Sequence, residues 1–290
     1  LHERHDVRAV VSQPDRPKGR GRSLAAPPVK EAALELGIGT ILQPETLRRR
    51  AVREELESFE ADCFVVVAFG QILRPKVLAI PPLGCINVHG SLLPRHRGAA
   101  PIQWAVLDGD AESGVTIMRM DEGVDTGPML LRRTLTLDGE ETAGSLHDRL
   151  APLGAVALLD ALEGLAQGTL SATPQPAEGV SHARMLAKAD GAVVWSKAAG
   201  QVDSWIRGMD PWPGAYSELG DKRIKLFRSH AAVARGGDVG EILAIDDRGM
   251  LVGCGEGAVW VREVQLPGRK RMAAAALAAG RALSVGQRLG

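Results

Sequence analysis

The sequence predicts a parallel α/β domain followed by a small β-barrel, and three observations carry that prediction. In the first half, apolar runs of strand length alternate with helix-length stretches. One of these runs, Phe64-Val65-Val66-Val67-Ala68-Phe69, is unbroken, as in a strand covered on both faces of its sheet. Residues Gly168 to Arg184 are rich in Pro, Ser, Thr and Gly without periodicity, which marks a boundary. Beyond it, short apolar segments recur between turns at near-even spacing, the pattern of a barrel.

Taken in order, Val7 to Val11 reads as a strand and Ser12 to Pro28 as a long Pro/Gly/Arg loop. A helix follows near Lys30 to Leu36, then a strand near Thr40 to Leu42 and a charged helix from Glu45 to Glu57. After the Phe64–Phe69 strand, Leu83 to Val88 is the next apolar strand, and Ala100 to Leu107 fits a short helix. Val115 to Met120 reads as a strand, Met129 to Leu137 as an extended segment and Thr142 to Gln167 as an Ala/Leu-rich helix, with Thr142 and Ser145 placed to cap it. Past the boundary, Val202 to Met209 is helical and is closed by Pro211-Trp212-Pro213-Gly214. The barrel segments are Ala215 to Leu219, Ile224 to Arg228, Gly240 to Ile245, Met250 to Cys254 and Val259 to Val264. Met272 to Ala279 is a terminal helix. The domains expected are therefore residues 1–167 and 188–290, with 168–187 as linker.

The chemistry concentrates at the end of the Leu83 strand, in Cys85-Ile86-Asn87-Val88-His89-Gly90-Ser91-Leu92-Leu93-Pro94. Strand alternation puts Asn87 and His89 on one face and Val88 on the other. Gly90 permits a tight turn, and Pro94 stops regular continuation. A third polar group, Asp125, stands in the Gly-flanked loop Met120 to Gly127 after the next strand. A carboxylate facing an Asn and a His can orient and charge the imidazole. The three suit acyl transfer without a covalent intermediate, because Asn87 and protonated His89 can donate to a developing oxyanion when the substrate brings its own amine. On spacing alone, turn-forming Asn and Asp and one satisfied structural histidine fit as well.

At 290 residues with 45% hydrophobic content and zero formal net charge, the chain buries a sizeable core and has room for two domains. That balance excludes disordered and fibrous classes. No apolar run approaches the ~20 residues of a membrane span, and Leu1 to Asp6 lacks a secretory apolar core, so a soluble cytoplasmic protein is expected. Cys63, Cys85 and Cys254 are odd in number and set among apolar neighbours, which favours buried free thiols over a disulfide or a metal site. No metal is expected. Gly19 and Gly21 do not make a dinucleotide fingerprint, since Leu24 takes the third glycine position and the loop is Pro-rich.

Charge is local rather than global. Arg16, Lys18, Arg20 and Arg22 stand against Asp15 in the first loop. From Lys188 to Gly290 there are fifteen basic and eleven acidic residues, densest at Arg269-Lys270-Arg271. Each cluster fits a solvated surface, and each also fits contact with a nucleic-acid backbone. The tryptophans, Trp195, Trp205, Trp212 and Trp260 among them, are expected in the barrel core rather than as base-stacking platforms.

The run Asn87 to Gln103, with Gly114 to Met118 and Asp121 to Gly127, closely resembles the 10-formyltetrahydrofolate-dependent formyltransferases, and within them the members acting on methionyl-tRNA. The resemblance extends through Gln13 to Arg22 and Pro211-Trp212-Pro213. It implies a Rossmann-like, mostly parallel sheet domain and a C-terminal barrel like the oligonucleotide-binding fold. It implies that Asn87, His89 and Asp125 are catalytic and that Ser91, Leu92, Leu93 and Pro94 lie against the folate formyl donor. Arg16, Lys18, Arg20 and Arg22, with Arg269, Lys270 and Arg271, would contact initiator methionyl-tRNA, and a monomer is expected. Family members begin with a further strand and helix; their absence here suggests a fragment and would leave unpaired backbone in the sheet. Two other positions depart from the pattern. His96 stands where an aromatic is common, between Arg95 and Arg97, and reads as part of a solvated basic turn; Phe69 replaces a usual tyrosine.

Overall fold

The structure is a computed structural model and describes residues 1–18, 23–233, 237–280 and 282–290, with the side chain of residue 18 left out. Two compact units are built from discontinuous segments. The first comprises Leu1–His89, Val115–Arg133 and Leu153–Gly179, and the second Gly90–Gly114, Thr134–Pro152 and Val180–Gly290.

In chain order, β1 (Val10–Val11), β2 (Arg16–Lys18) and β3 (Ser23–Ala25) lead to α1 (Pro28–Glu35), β4 (Ile41–Leu42) and α2 (Arg50–Glu57). Then come β5 (Phe64–Val66), α3 (Pro75–Leu78), β6 (Cys85–His89), β7 (Arg97–Gly98) and α4 (Pro101–Leu107). Strands β8 (Glu112–Arg119) and β9 (Met129–Thr136) and helix α5 (Ala143–Ala166) follow. The remainder is β10 (His182–Ala183), α6 (Ala199–Gly208), β11 (Tyr216–Leu219), β12 (Lys222–Ala232), β13 (Ile242–Asp246), β14 (Gly249–Gly253), β15 (Ala258–Gln265), β16 (Met272–Ala273) and α7 (Ala274–Ala279).

The first unit is α/β. Its four-stranded sheet runs β5-β6-β8-β9, with β6 parallel to β5 and antiparallel to β8. A second parallel pair, β1–β4, forms a separate sheet. Apolar side chains from both sheets, including Val11, Leu42, Val66 and Cys85, meet α2 and α3 in one core. The stretch expected as a loop, Ser12 to Pro28, carries the paired strands β2 and β3, and the strand expected over Val7 to Val11 is Val10–Val11 alone; two further elements are shorter than expected for a visible reason. The helix predicted from Glu45 starts at Arg50, because Gln71 accepts from the Leu47 N–H and donates to the Pro44 carbonyl and holds 44–47 as a turn. The strand predicted to Phe69 ends at Val66, since Ala68 turns left-handed at φ 46°.

The second unit carries an antiparallel sheet in the order β11-β12-β15-β14-β13, with β16 on β15. This is the small barrel-like element expected from the recurrent apolar segments. α6 packs on α4 where Gly208 admits Leu107; a Cβ at Gly208 would lie 2.7 Å from the leucine side chain. Thr142 and Ser145 cap α5 reciprocally, each N–H donating to the other's hydroxyl at 2.9 and 3.1 Å. All five tryptophans fall in this unit. Trp195 and Trp260 are buried as expected, but Trp212 is exposed, since it lies in the turn after α6 rather than on a barrel strand. Among the described residues no helix is long and apolar enough to cross a membrane.

Candidate active site

Pairing with strands on both sides fixes β6, with Asn87 opposite Met118 and His89 opposite Thr116 on β8. Asp125 sits on the loop that leaves β8. That loop is built around one carboxylate: Asp121 Oδ1 accepts from the Gly123 N–H at 3.1 Å and from the Thr126 hydroxyl at 2.7 Å. Gly127 cannot carry a side chain, because a Cβ there would lie 1.9 Å from the Arg119 carbonyl oxygen. Asp125 itself is left-handed, with φ 53°. A non-glycine residue pays strain for that backbone, and such outliers cluster at functional sites.

The three side chains converge on one atom. Asp125 Oδ1 accepts from Asn87 Nδ2 at 3.4 Å and lies 3.6 Å from His89 Nδ1. His89 is 5% and Asp125 16% exposed, so the cluster is largely shielded from water and its charges are weakly screened. Nδ1 of His89 faces the carboxylate, which orients the ring.

Composition gave no sign of what holds Asp125 in place. Gln175 donates through Nε2 to the carbonyl oxygens of Asp125 and Gly127, both at 2.8 Å. It lies in the segment expected as linker, between Pro174 and Pro176. Two flanking prolines with fixed φ were the available signal of a rigid presenter. Exposed apolar residues were also missed. Val67 and Ile72 follow β5, and Val124 precedes Asp125; all three are exposed.

The turn after β6 belongs to the second unit. Ser91, Leu93 and Pro94 are buried and Leu92 is partly exposed. The Ser91 hydroxyl donates to the Arg95 carbonyl at 2.6 Å and closes the turn on itself.

His96 is a correction. It was expected in a solvated basic turn, yet it is buried, with Nε2 2.7 Å from Asp110 Oδ2. Arg95 straddles the same carboxylate at 2.5 and 2.9 Å. Burial pushes the Asp110 carboxyl up, but hydrogen bonds from His96 and Arg95 outweigh it and hold the group below its ordinary value. The acidic residues sit 12 and 14 positions further along, so local charge counting around Arg95 and Arg97 could not find them. His96, Asp108 and Asp110 also stand within ligand reach of one another, but the Arg95 guanidinium already contacts both carboxylates.

Of the basic residues named for tRNA, Arg16 is exposed on β2, while Arg20 and Arg22 lie outside the described residues. Lys18 closes β2. Arg269 and Lys270 are exposed in the turn before β16. Arg271 is committed to Glu263 and Asp210, and its guanidinium carbon lies over the Phe227 ring, 4.1 Å from the ring centre.

The pattern of the formyl transferase family matches residues 2–162, and that of its C-terminal domain matches residues 185–282. The chain belongs to the formyl transferase family. A relative from Geobacter metallireducens, a methionyl-tRNA formyltransferase, is 47% identical over 98% of this chain and 91% of its own. One of the same name from Desulfotalea psychrophila is 48% identical over 94% of this chain and 85% of its own. Among solved structures, the sugar 3N-formyl transferase WlaRD gives a TM-score of 0.65 at 17% identity, covering 90% of this chain and 88% of that one. HypX from Aquifex aeolicus, in complex with tetrahydrofolic acid, gives 0.61 at 21% identity over 81% of this chain and 41% of that one. At these identities the two structures share the fold. The family's formyl transferases accordingly set the chemistry against which the trio on β6 and the Asp125 loop is read.

Proposed function

We infer that this formyl transferase moves the formyl group of 10-formyltetrahydrofolate to the α-amino group of methionyl-tRNA, with Asn87, His89 and Asp125 as its catalytic residues. The observation that carries the site assignment is the single oxygen, Asp125 Oδ1, facing both Asn87 Nδ2 and His89 Nδ1.

The folate supplies an activated formyl carbon; the chain supplies positioning and charge. The attacking amine needs little activation, because an α-amino group has a pKa of about 7.7–8.0 and ester formation lowers it. Asp125 holds the His89 ring by its Nδ1 edge. Asn87 and His89 then donate to the oxygen on which negative charge develops, each such donor being worth about 10²–10³ in rate. As an imidazolium, His89 gives a proton to the departing folate nitrogen and recovers one from the attacking nitrogen, so the proton count closes over the transfer. The buried Ser91, Leu93 and Pro94 shape the folate-facing turn, and Leu92 presents its side chain.

Residues 1–167 form the catalytic domain in this reading, 168–187 a linker and 188–290 the tRNA-binding barrel. Arg16, Lys18, Arg20 and Arg22 contact the tRNA backbone, and so do Arg269 and Lys270 on the barrel. Arg271 acts there through its carboxylate pairs rather than as a free cation. The protein works as a monomer in the cytoplasm, where charged tRNA is made.

The test is formyl transfer from 10-formyltetrahydrofolate to Met-charged initiator tRNA. Formyl-methionyl-tRNA is the expected product. Formylation of a small amino sugar in its place would overturn the substrate assignment.

A further inference from the structure

A second polar cluster in the first unit takes no part in the chemistry of the trio. Lys30, in α1, donates through Nζ to Asp15 at 2.8 and 3.0 Å and to Gln43 Oε1 at 2.7 Å. Gln43, just past β4, donates to Asp15 Oδ1 at 2.7 Å and to the Gln13 carbonyl at 2.9 Å. Gln13 in turn donates to the Phe69 carbonyl at 2.9 Å. Asp15 is thus gripped from two elements, immediately before the chain enters β2.

Among the described residues β2 and β3 pair antiparallel at Arg16–Ala25, Pro17–Leu24 and Lys18–Ser23. The pair stands in its own two-stranded sheet, and Leu24 is 72% exposed. An isolated two-stranded sheet has too little apolar burial to hold a direction by itself. What fixes it is at its base. Lys30 and Asp15 are 21% and 34% exposed, shielded enough for a charge-assisted contact to be strong and open enough to be altered without wrecking a core. The Gln43 and Lys30 hydrogen bonds hold the Asp15 carboxyl below its ordinary value.

We propose that Lys30, Asp15 and Gln43 form a clasp that presets the direction of the basic β2–β3 arm, and that they are positioning residues for the tRNA substrate. This rests on the reading of Arg16 and Lys18 as phosphate contacts. An arm held in its binding direction before encounter loses less conformational freedom on docking, and that saving appears as affinity for the macromolecule alone. The clasp leaves the folate and the trio untouched, so its removal separates the two substrates kinetically.

The experiment is steady-state formylation by the full chain carrying Lys30→Met, Gln43→Leu or Lys30→Arg, alongside an Arg16→Ala/Lys18→Ala double variant. The expected result is a KM for methionyl-tRNA raised about 10-fold in K30M and Q43L, with kcat and the folate KM within about 2-fold of the parent. K30R, which keeps the charge, recovers most of the affinity. An unchanged tRNA KM in K30M and Q43L, while the arm double variant weakens tRNA, overturns the clasp and leaves the arm reading standing. A fall in kcat without a KM change overturns it as well, because that marks a purely structural role. If the arm double variant itself binds tRNA normally, the phosphate-contact reading fails and the clasp proposal falls with it.

Discussion

Gln175 Nε2 lies 2.8 Å from the carbonyl oxygen of Asp125, so a residue fifty positions later in the chain sets the backbone of the proposed catalytic carboxylate. Gln175→Leu keeps the volume and removes both hydrogen bonds. Turnover should fall by about 10–100-fold, the range for a sub-ångström to ångström misplacement of a reacting group. The melting temperature should hardly move, since the side chain is only part-buried, and comparing kcat with thermal stability separates the two effects.

Asp125→Asn retains an acceptor but no charge, and His89→Ala removes the ring. Each should lower kcat by at least about 10²-fold, and the double variant should lose little more than either alone. Additive losses would show that the two residues do not act as a unit. Single-turnover formylation is the appropriate measurement.

The Asp110 network predicts a pH dependence. The folded-state carboxyl lies below its ordinary value. Its contribution is therefore present above the unfolded value of about 3.9 and lost as pH falls through the folded value. Asp110→Asn should cost about 2–3 kcal/mol at pH 7, since it removes the carboxylate that His96 and Arg95 share and leaves them with the longer contacts to Asp108. The gap between variant and parent should close below about pH 4, as read from urea unfolding across pH.

Burial pushes the Cys85 thiol up to about 12 and the Cys63 and Cys254 thiols up to about 11. None is appreciably ionised at pH 8, so native protein should react slowly with a thiol-directed reagent and keep its activity meanwhile. All three should react at once in denaturant.

Gly127→Ala places a methyl 1.9 Å from a backbone oxygen that cannot swing away. The loop must shift, and both activity and stability should fall, the latter by about 2–4 kcal/mol. Gly139→Ala, where nothing lies within 4 Å, makes a suitable surface control for the space effect, although its φ of 83° adds strain of its own.

What the sequence revealed follows from what periodicity can encode. The strand that carries Asn87 and His89, the loop glycines around Asp125 and the Thr142–Ser145 cap are local patterns, and each stands where its spacing put it. Gln175, Asp110 and the Gln71 tether of the 44–47 turn act across 48 to 50, 14 and 24 to 27 positions respectively. A side chain whose partner is chosen by tertiary folding leaves no periodic trace. His96 shows the cost: its neighbours Arg95 and Arg97 suggested water, while the carboxylate that buries it came from the far side of α4.

The placement of every tryptophan in the second unit governs what light can report. Intrinsic emission excited at the indole band arises from that unit alone: the reporters stand on α4, on α6 and in and around the barrel, and none stands on β6 or on the loop bearing Asp125. A variant that loosened the first unit alone would have no indole of its own to show it in a fluorescence melt. Circular dichroism or amide exchange would expose it, and a tryptophan introduced at Phe69 would give the dark unit a signal of its own.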